Sequence, residues 1–258
     1  MARLFDHNVA NYMSRSSVNL GLNGLTECSV AYWLKLTAVD ATLNQRIVQK
    51  QIADGWSSFQ ASLETNSSRP RFSFENQTSG DYPTWIADAG IGTGVWARVL
   101  CTWKRNAITV ADGLIYVNGV SVALTLDAGS VYTAGTTIEE TSNNLYYGIR
   151  PVTLTSPLDG ALAWVNVWNR QLTAAEALAD YASPGAVTSG LVSRVQVNPD
   201  TDAILGGSMA VTGTLASAAN PNTVAVTGTA TASIAEPSIV TGSTTLILTA
   251  TNETFVDF

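Results

Sequence analysis

The stretch that most restricts the fold is residues 157–182, PLDGALAWVNVWNRQLTAAEALADYA. Up to Trp168 it alternates like a strand, and after Leu172 it takes the spacing of one short helix. Thr173 is placed to cap that helix, and Glu176, three residues on, completes a capping box. Leu178 and Tyr181 share a face that can lie on a sheet, and Pro184-Gly185 ends the segment. Helix signals are poor elsewhere. One capped helix among strands is a clip on a β architecture, not the start of alternating βαβ units.

Strand-like segments recur at Cys28–Leu36, Arg71–Glu75, Val95–Lys104, Leu114–Val117, Ser121–Leu126, Leu145–Ile149 and Ala161–Trp168. Turn pairs such as Asp54-Gly55, Asp112-Gly113 and Asp159-Gly160 punctuate them. The sharpest is Asn118-Gly119, because Asn-Gly adopts φ > 0 at both centres of a two-residue hairpin with little strain. Trp33, Val99, Cys101, Leu162 and Trp164 are expected in strands of one sandwich.

The chain has 258 residues, 46% hydrophobic but only 13% charged, and hydroxyls fill the polar faces that charges usually occupy. A net charge of −7 with scattered basic residues disfavours nucleic acid and anionic membranes as partners. The opening MARLFDHNVANYMS has no apolar core, so synthesis in a host cytoplasm is expected. Cys28 and Cys101 each sit in an alternating pattern and read as buried thiols, with a disulfide between neighbouring strands as the alternative.

Composition shifts after about residue 187. All 7 Trp precede residue 169, whereas the last 71 residues hold 14 Thr and one basic residue, Arg194. AVTGTLASA at 210–218 is echoed by AVTGTATAS at 225–233, and Leu246 and Leu248 alternate in a further strand. The expected division is a sandwich over 1–187, a linker with strand pieces over 188–222, and a small β segment or assembly arm over 223–258.

The first part resembles the laminin-G-like, or concanavalin A-like, jelly-roll family. Ser29–Leu34, Val95–Val99, Tyr116–Gly119 and Asp159–Glu176 match its motifs in the family's order. In that family the last core strand leads into a short capped helix, which accounts for residues 157–182. The resemblance implies an all-β jelly-roll sandwich with one short helix, here followed by a small C-terminal β appendage. Ser233–Phe255 resembles a tail of bacteriophage virion structural proteins.

Catalysis is not expected. Glucanases of this fold alternate three carboxylates on one strand, and no such triplet exists here. Glu139-Glu140 would point to opposite faces, and Asp200 and Asp202 sit in a loop. His7 is the sole histidine, so any nucleophile–histidine pair would need it. Replacing His7, or both Glu139 and Glu140, should leave activity intact. Calcium is the one cofactor the resemblance brings, with Asp6, Asn8, Asp112 and Asp159 as candidate ligands. They lack the ligand density of a hard-cation site, so no cofactor is expected.

Two roles follow. The first is a non-enzymatic virion structural protein that decorates or cements a bacteriophage capsid. Its partners would be other virion proteins, the major capsid protein and copies of itself. Leu246, Leu248, Phe255 and Phe258 would supply the assembly contacts by strand addition. The alternative is a glycan-binding adhesin domain of a phage tail or fibre, with a cell-surface glycan as partner. Its candidate platform is Trp56, Tyr82 and Trp85, aromatics in turn-rich stretches.

Overall fold

The computed structural model describes residues 3–6, 12–15, 18–53, 56–76, 78–105, 110–131, 133, 136–141, 143–150, 156–195, 197, 210–217, 223–231 and 246–249, with backbone alone for 3, 51–53, 56 and beyond 200. The chain divides into two units, Met1–Asp200 and Thr201–Phe258.

Alternating sequence in the first unit produces β1 (Arg3–Phe5), β2 (Met13–Arg15), β3 (Glu27–Leu36), β4 (Arg46–Ala53), β5 (Trp56–Leu63), β6 (Pro70–Ser73) and β7 (Thr84–Ala87). There follow β8 (Trp96–Lys104), β9 (Gly113–Val117), β10 (Val120–Val122), β11 (Leu124–Leu126), β12 (Leu145–Tyr147), β13 (Gly160–Trp168), helix α1 (Ala174–Ala182) and β14 (Leu191–Val195). They pair antiparallel into two sheets. Sheet A runs β1-β13-β3-β8-β9-β10, with β14 also on β13, and sheet B runs β11-β7-β6-β5-β4-β12-β2. This is the expected jelly-roll sandwich.

One face of each sheet is apolar, and the two faces meet. Val30, Tyr32 and Leu34 from β3 and Val99, Cys101 and Trp103 from β8 face Phe59, Phe72, Phe74 and Trp85 from sheet B, all buried. Phe74 stands with its ring centroid 4.2 Å from Trp103 and 5.9 Å from Trp85. Such contacts add to the area term that dominates core energetics. A β-carbon at Gly113 would lie 2.5 Å from the Trp85 ring, so the expected turn pair Asp112-Gly113 also serves close packing. Cys28 and Cys101 are buried free thiols, and burial pushes the Cys28 thiol up to about 12. The Asn118-Gly119 turn has φ of 52° and 78° and closes β9 on β10 as read from sequence.

Several details correct the sequence reading. Residues 121–126 do not form one strand: β10 pairs with β9 in sheet A, and β11 pairs with β7 in sheet B. Val122, Leu124 and Leu126 all pack on the shared core, so their alternation continues unbroken through the change of sheet. Trp164 is only half buried. Ala163 pairs with Trp33 and Asn166 with Ala31, so β13 carries one extra residue there, and Trp164 sits at φ 42° in the bulge. The sandwich sheet also runs past residue 187, because β14 pairs with β13.

In the second unit, β15 (Ala210–Ser217) pairs with β16 (Thr223–Thr231), and β16 pairs with β17 (Leu246–Thr249). The echoed segments are therefore neighbouring strands, joined across the expected division at residue 222.

Candidate functional site

A sandwich has two outer faces, and in this one they differ in chemistry. The outer face of sheet A is apolar. Ala31, Leu100, Tyr116 and Trp168 form a second small core there with Leu172, Ala177 and Val187. Helix α1 covers it. Thr173 caps the helix, accepting from the Glu176 N–H while the Glu176 carboxylate accepts from the Thr173 N–H. The buried helix positions are Ala177 and Asp180, whereas Leu178 is 55% exposed. The expected Leu178/Tyr181 face does lie on sheet A, with both residues against Gly119 and the Tyr181 ring 5.8 Å from Trp33, while Ala177 and Asp180 are the more deeply buried positions. A small side chain at Ala177 permits close approach, and Asp180 is buried because Arg98 meets it.

The Arg98 guanidinium donates to Asp180 Oδ2 from Nε at 2.8 Å and Nη2 at 2.5 Å, and to the Trp164 carbonyl from Nη1 at 2.6 Å. Asp180 Oδ1 accepts from the Gly185 N–H at 2.9 Å. Trp168 Nε1 donates to the Val187 carbonyl at 2.9 Å. On this face, then, the main buried charge pair and the Trp168 donor are partnered within the chain.

The outer face of sheet B is polar. In β5, Phe59, Ala61 and Leu63 enter the core, so Ser58, Gln60 and Ser62 point outward. Strand pairing extends this outward set into two rows. One is Tyr146–Gln49–Gln60–Ser73–Thr84, and the other is Arg46–Ser62–Arg71–Ile86–Thr125. Each row crosses five strands, roughly 19 Å at ordinary strand spacing. Tyr12, exposed, approaches Tyr146 at 6.1 Å between ring centroids and adds an aromatic margin.

The floor of this face is buried while its rim is partly open: Gln49, Gln60 and Ser73 are buried, and the Asp127 side chain is 35% exposed. Arg46 Nη1 donates to Gln60 Oε1 at 2.5 Å, and Gln49 Nε2 donates to Ser57 Oγ at 2.6 Å. Arg71 Nη2 reaches Asp127 Oδ2 at 3.3 Å. Even so, Arg46 Nε, Gln49 Oε1 and the hydroxyls of Ser58, Ser62 and Ser73 have no hydrogen-bond partner in the chain. Buried polar groups are ordinarily satisfied, and each one left alone costs about 1–3 kcal/mol.

Charge concentrates at one end of the rows. Burial, then repulsion from Arg71 and Arg150, brings the Arg46 guanidinium down to about 10, while Glu75 opposes the fall. Burial raises the Glu75 carboxyl, although the Ser57 N–H and the three arginines all stabilise its charge.

The residues expected to form the glycan platform are divided. Trp85 is fully buried in β7 among Phe72 and Phe74, which removes it from any surface. Its place in a turn-rich stretch had concealed a short strand whose alternate residues enter the core. Tyr82 is 41% exposed. Trp56 begins β5, and its side chain lies outside the described residues. The Glu75 N–H donates to the Ser57 carbonyl, and Asn76 bridges to Asp81, so Trp56 and Tyr82 lie on the chain at the end of sheet B that Glu75 occupies.

Glu140 is not a dispensable surface acid. It is buried, accepts from the Leu20 and Leu22 N–H groups at 2.7 Å each, and lies 3.9 Å from the buried Lys50 ammonium. Glu139 accepts from the Thr78 N–H at 3.0 Å. Among the expected calcium ligands, Asp6 is exposed, Asp112 is buried and Asp159 is half-buried. Among the described residues no three His, Cys, Asp or Glu side chains gather as a metal site. His7, Asn8, Asp200, Asp202, Phe255 and Phe258 lie outside the described residues. Leu246 and Leu248 are strand positions opposite Val226 and Val224. No described helix is long and apolar enough to cross a membrane.

The residues that sequence reasoning missed are those of the polar face: Arg46, Gln49, Gln60, Ser62, Arg71 and Ser73. The signal for them was present in Phe59-x-Ala61-x-Leu63, whose intervening residues are all polar.

No curated protein matches the chain. Among solved structures, a native heptameric pentraxin from Limulus polyphemus superposes with TM-score 0.51 at 14% identity, covering 75% of this chain and 89% of that one. A candidate carbohydrate-binding protein from Bacteroides ovatus gives TM-score 0.50 at 14% identity, with 86% of this chain matching 54% of that one. The botulinum neurotoxin serotype G binding domain gives 0.50 at 12% identity, with 67% matching 40%. At these identities the likeness concerns the fold. The laminin-G-like family described as the concanavalin A-like lectin/glucanases superfamily matches residues 8–177, well over half of the chain. With two antiparallel sheets and a capped helix in the matching order, the chain belongs to the concanavalin A-like lectin/glucanase superfamily.

Proposed function

We propose that the protein is a non-catalytic glycan-binding module that holds its ligand on the outer face of sheet B. The observation that carries this reading is the pair of polar rows whose buried hydroxyl, amide and guanidinium atoms lack partners in the chain. Saccharides offer alternating donors and acceptors suited to such a surface, and Tyr12 and Tyr146 add stacking surface at its margin. The Bacteroides ovatus protein, described as a candidate for carbohydrate binding, shares this fold and supports the reading. These neighbours favour glycan binding over a purely structural role in decorating a capsid.

A binding role without hydrolysis agrees with the structural tasks of the buried acids. Glu140 pins Leu20 and Leu22, and Asp180 pairs Arg98. Asp81 accepts from the hydroxyls of Ser79, Thr133 and Thr136; burial opposes its charge, but these bonds hold its carboxyl below the usual range. The virion setting rests on the sequence likeness of Ser233–Phe255. In that setting the module is an adhesin on a phage particle, with the second unit as its attachment.

A glycan array probed with the full chain tests the proposal. Binding should appear and should fall in Ser73→Ala, whose hydroxyl has no partner in the chain, while thermal unfolding stays near wild type. An array without any bound glycan would remove this reading. Release of reducing ends from a bound polysaccharide would instead make the protein a hydrolase.

A further inference from the structure

The polar face is not uniform, and the arginine end of it carries a further conclusion, which rests on the glycan-binding reading. Arg46 and Arg71 flank Ser62 from its two neighbouring strands and point outward with it. Arg150 acts on both Arg46 and Glu75. Arg46 and Arg71 thus stand on either side of one residue, within the field of Arg150, in a chain whose net charge is −7, so their grouping is not a general basic background.

Their counter-ions are few. Arg71 pairs with Asp127 at the rim. Among the described residues neither Arg46 nor Arg150 is ion-paired. The carboxylate nearest in effect, Glu75, spends Oε2 on the Ser57 N–H at 2.5 Å. Arg46 is only 8% exposed, yet its Nε has no acceptor. A buried cation without a paired anion is costly, and a carboxylate held over the part of the guanidinium that reaches the surface would supply the missing charge. Planar guanidinium forks match planar carboxylates in bidentate fashion, a geometry that neutral hydroxyls cannot offer.

We infer that Arg46, Arg71 and Arg150 form an anion subsite on the polar face, and that the module selects carboxylate-bearing glycans over neutral ones. The carboxylate would sit over Arg46, with Gln60 and Ser62 beneath the attached ring.

The test is an array that carries neutral, carboxylated and sulfated oligosaccharides of matched backbones. It is probed with the full chain and with Arg71→Gln and Arg150→Gln, whose side chains are partly exposed and whose loss should spare the fold. Lys104→Gln, on sheet A, serves as the charge control. The expected preference for carboxylated over neutral partners is about tenfold to a hundredfold, the usual weight of charge-assisted hydrogen bonds. It should collapse in both arginine variants and persist in Lys104→Gln. Three outcomes would overturn the anion subsite while leaving glycan binding in place. These are equal or stronger binding of the neutral forms, binding of sulfated forms alone, and a carboxylate preference unchanged in both arginine variants. If no glycan binds, the glycan-binding reading itself falls, and the subsite with it.

Discussion

The two outer faces of the sandwich invite comparison, because a helix covers one, where Asn166 Oδ1 stays without a partner, while unpartnered polar atoms cluster on the other. On sheet A a nine-residue helix is drawn onto Ala31, Leu100 and Tyr116, and its single buried acid is met by a fully buried arginine. On sheet B no described helix covers the face. Its side chains are just as buried, but they are serines, glutamines and arginines with capacity to spare. On sheet A the charged pair and the Trp168 donor are met within the chain. A face left short of partners costs stability, and such a cost is characteristic of a binding site.

Substitutions on the two faces should therefore differ in kind. The largest effect is expected for Asp180→Ala, which strands the Arg98 guanidinium beneath the helix. A loss of about 3–5 kcal/mol in denaturant unfolding is expected. A loss below about 1 kcal/mol would mean that the Arg98–Asp180 pair does not hold the helix on sheet A.

Trp164→Ala comes next. Full burial of such a ring would cost about 3–5 kcal/mol, and a half-buried ring beneath the Arg194 guanidinium, at 4.8 Å, should cost about half of that. A full-sized loss would show that the bulge does not turn the ring outward.

On the opposite face, Ser73→Ala removes a hydroxyl that has no partner in the chain. Stability should stay within about 0.5 kcal/mol or rise slightly, while glycan affinity falls. Destabilisation by more than about 1 kcal/mol would mean that the hydroxyl serves the fold.

The smallest expected effect depends on pH. Hydrogen bonds from Arg170, then from the Thr173 N–H, hold the Glu176 carboxyl at about 2 against an ordinary 4.5. Because the folded value is depressed, the contribution is complete above about 4.5 and is lost as the pH falls toward 2. Amide protection in α1 should weaken across that window, and Glu176→Gln should flatten the dependence. Equal weakening of sheet B would assign the loss to other acids.

Much of sheet A was legible in the sequence because its strands alternate strongly and end in diagnostic turns. Thr173 and Glu176 announced the cap, and Asn118-Gly119 announced the hairpin. Sheet B was harder to read. In β4, Arg46-Ile47-Val48-Gln49-Lys50-Gln51 contains a register shift after Arg46, so its polar and apolar residues do not keep period two. A buried polar outer face also lacks the charged signature of a solvated one, so β5 is absent from the alternating segments. Trp85 misled for the converse reason: Gly80 and Pro83 made a core strand look like a turn. Nor can spacing show that Arg98 and Asp180, far apart in sequence, bury each other's charge.

The most direct test of the account is hydrogen–deuterium exchange on the full chain, with and without the tightest-binding glycan from the array. The two outer faces then report side by side. Protection should concentrate in β4, β5 and β6, around Gln49, Gln60, Ser62 and Ser73, with exchange in α1 and β13 unchanged. Protection confined to α1 and the outer face of sheet A, with sheet B unaffected, would contradict the assignment of the site.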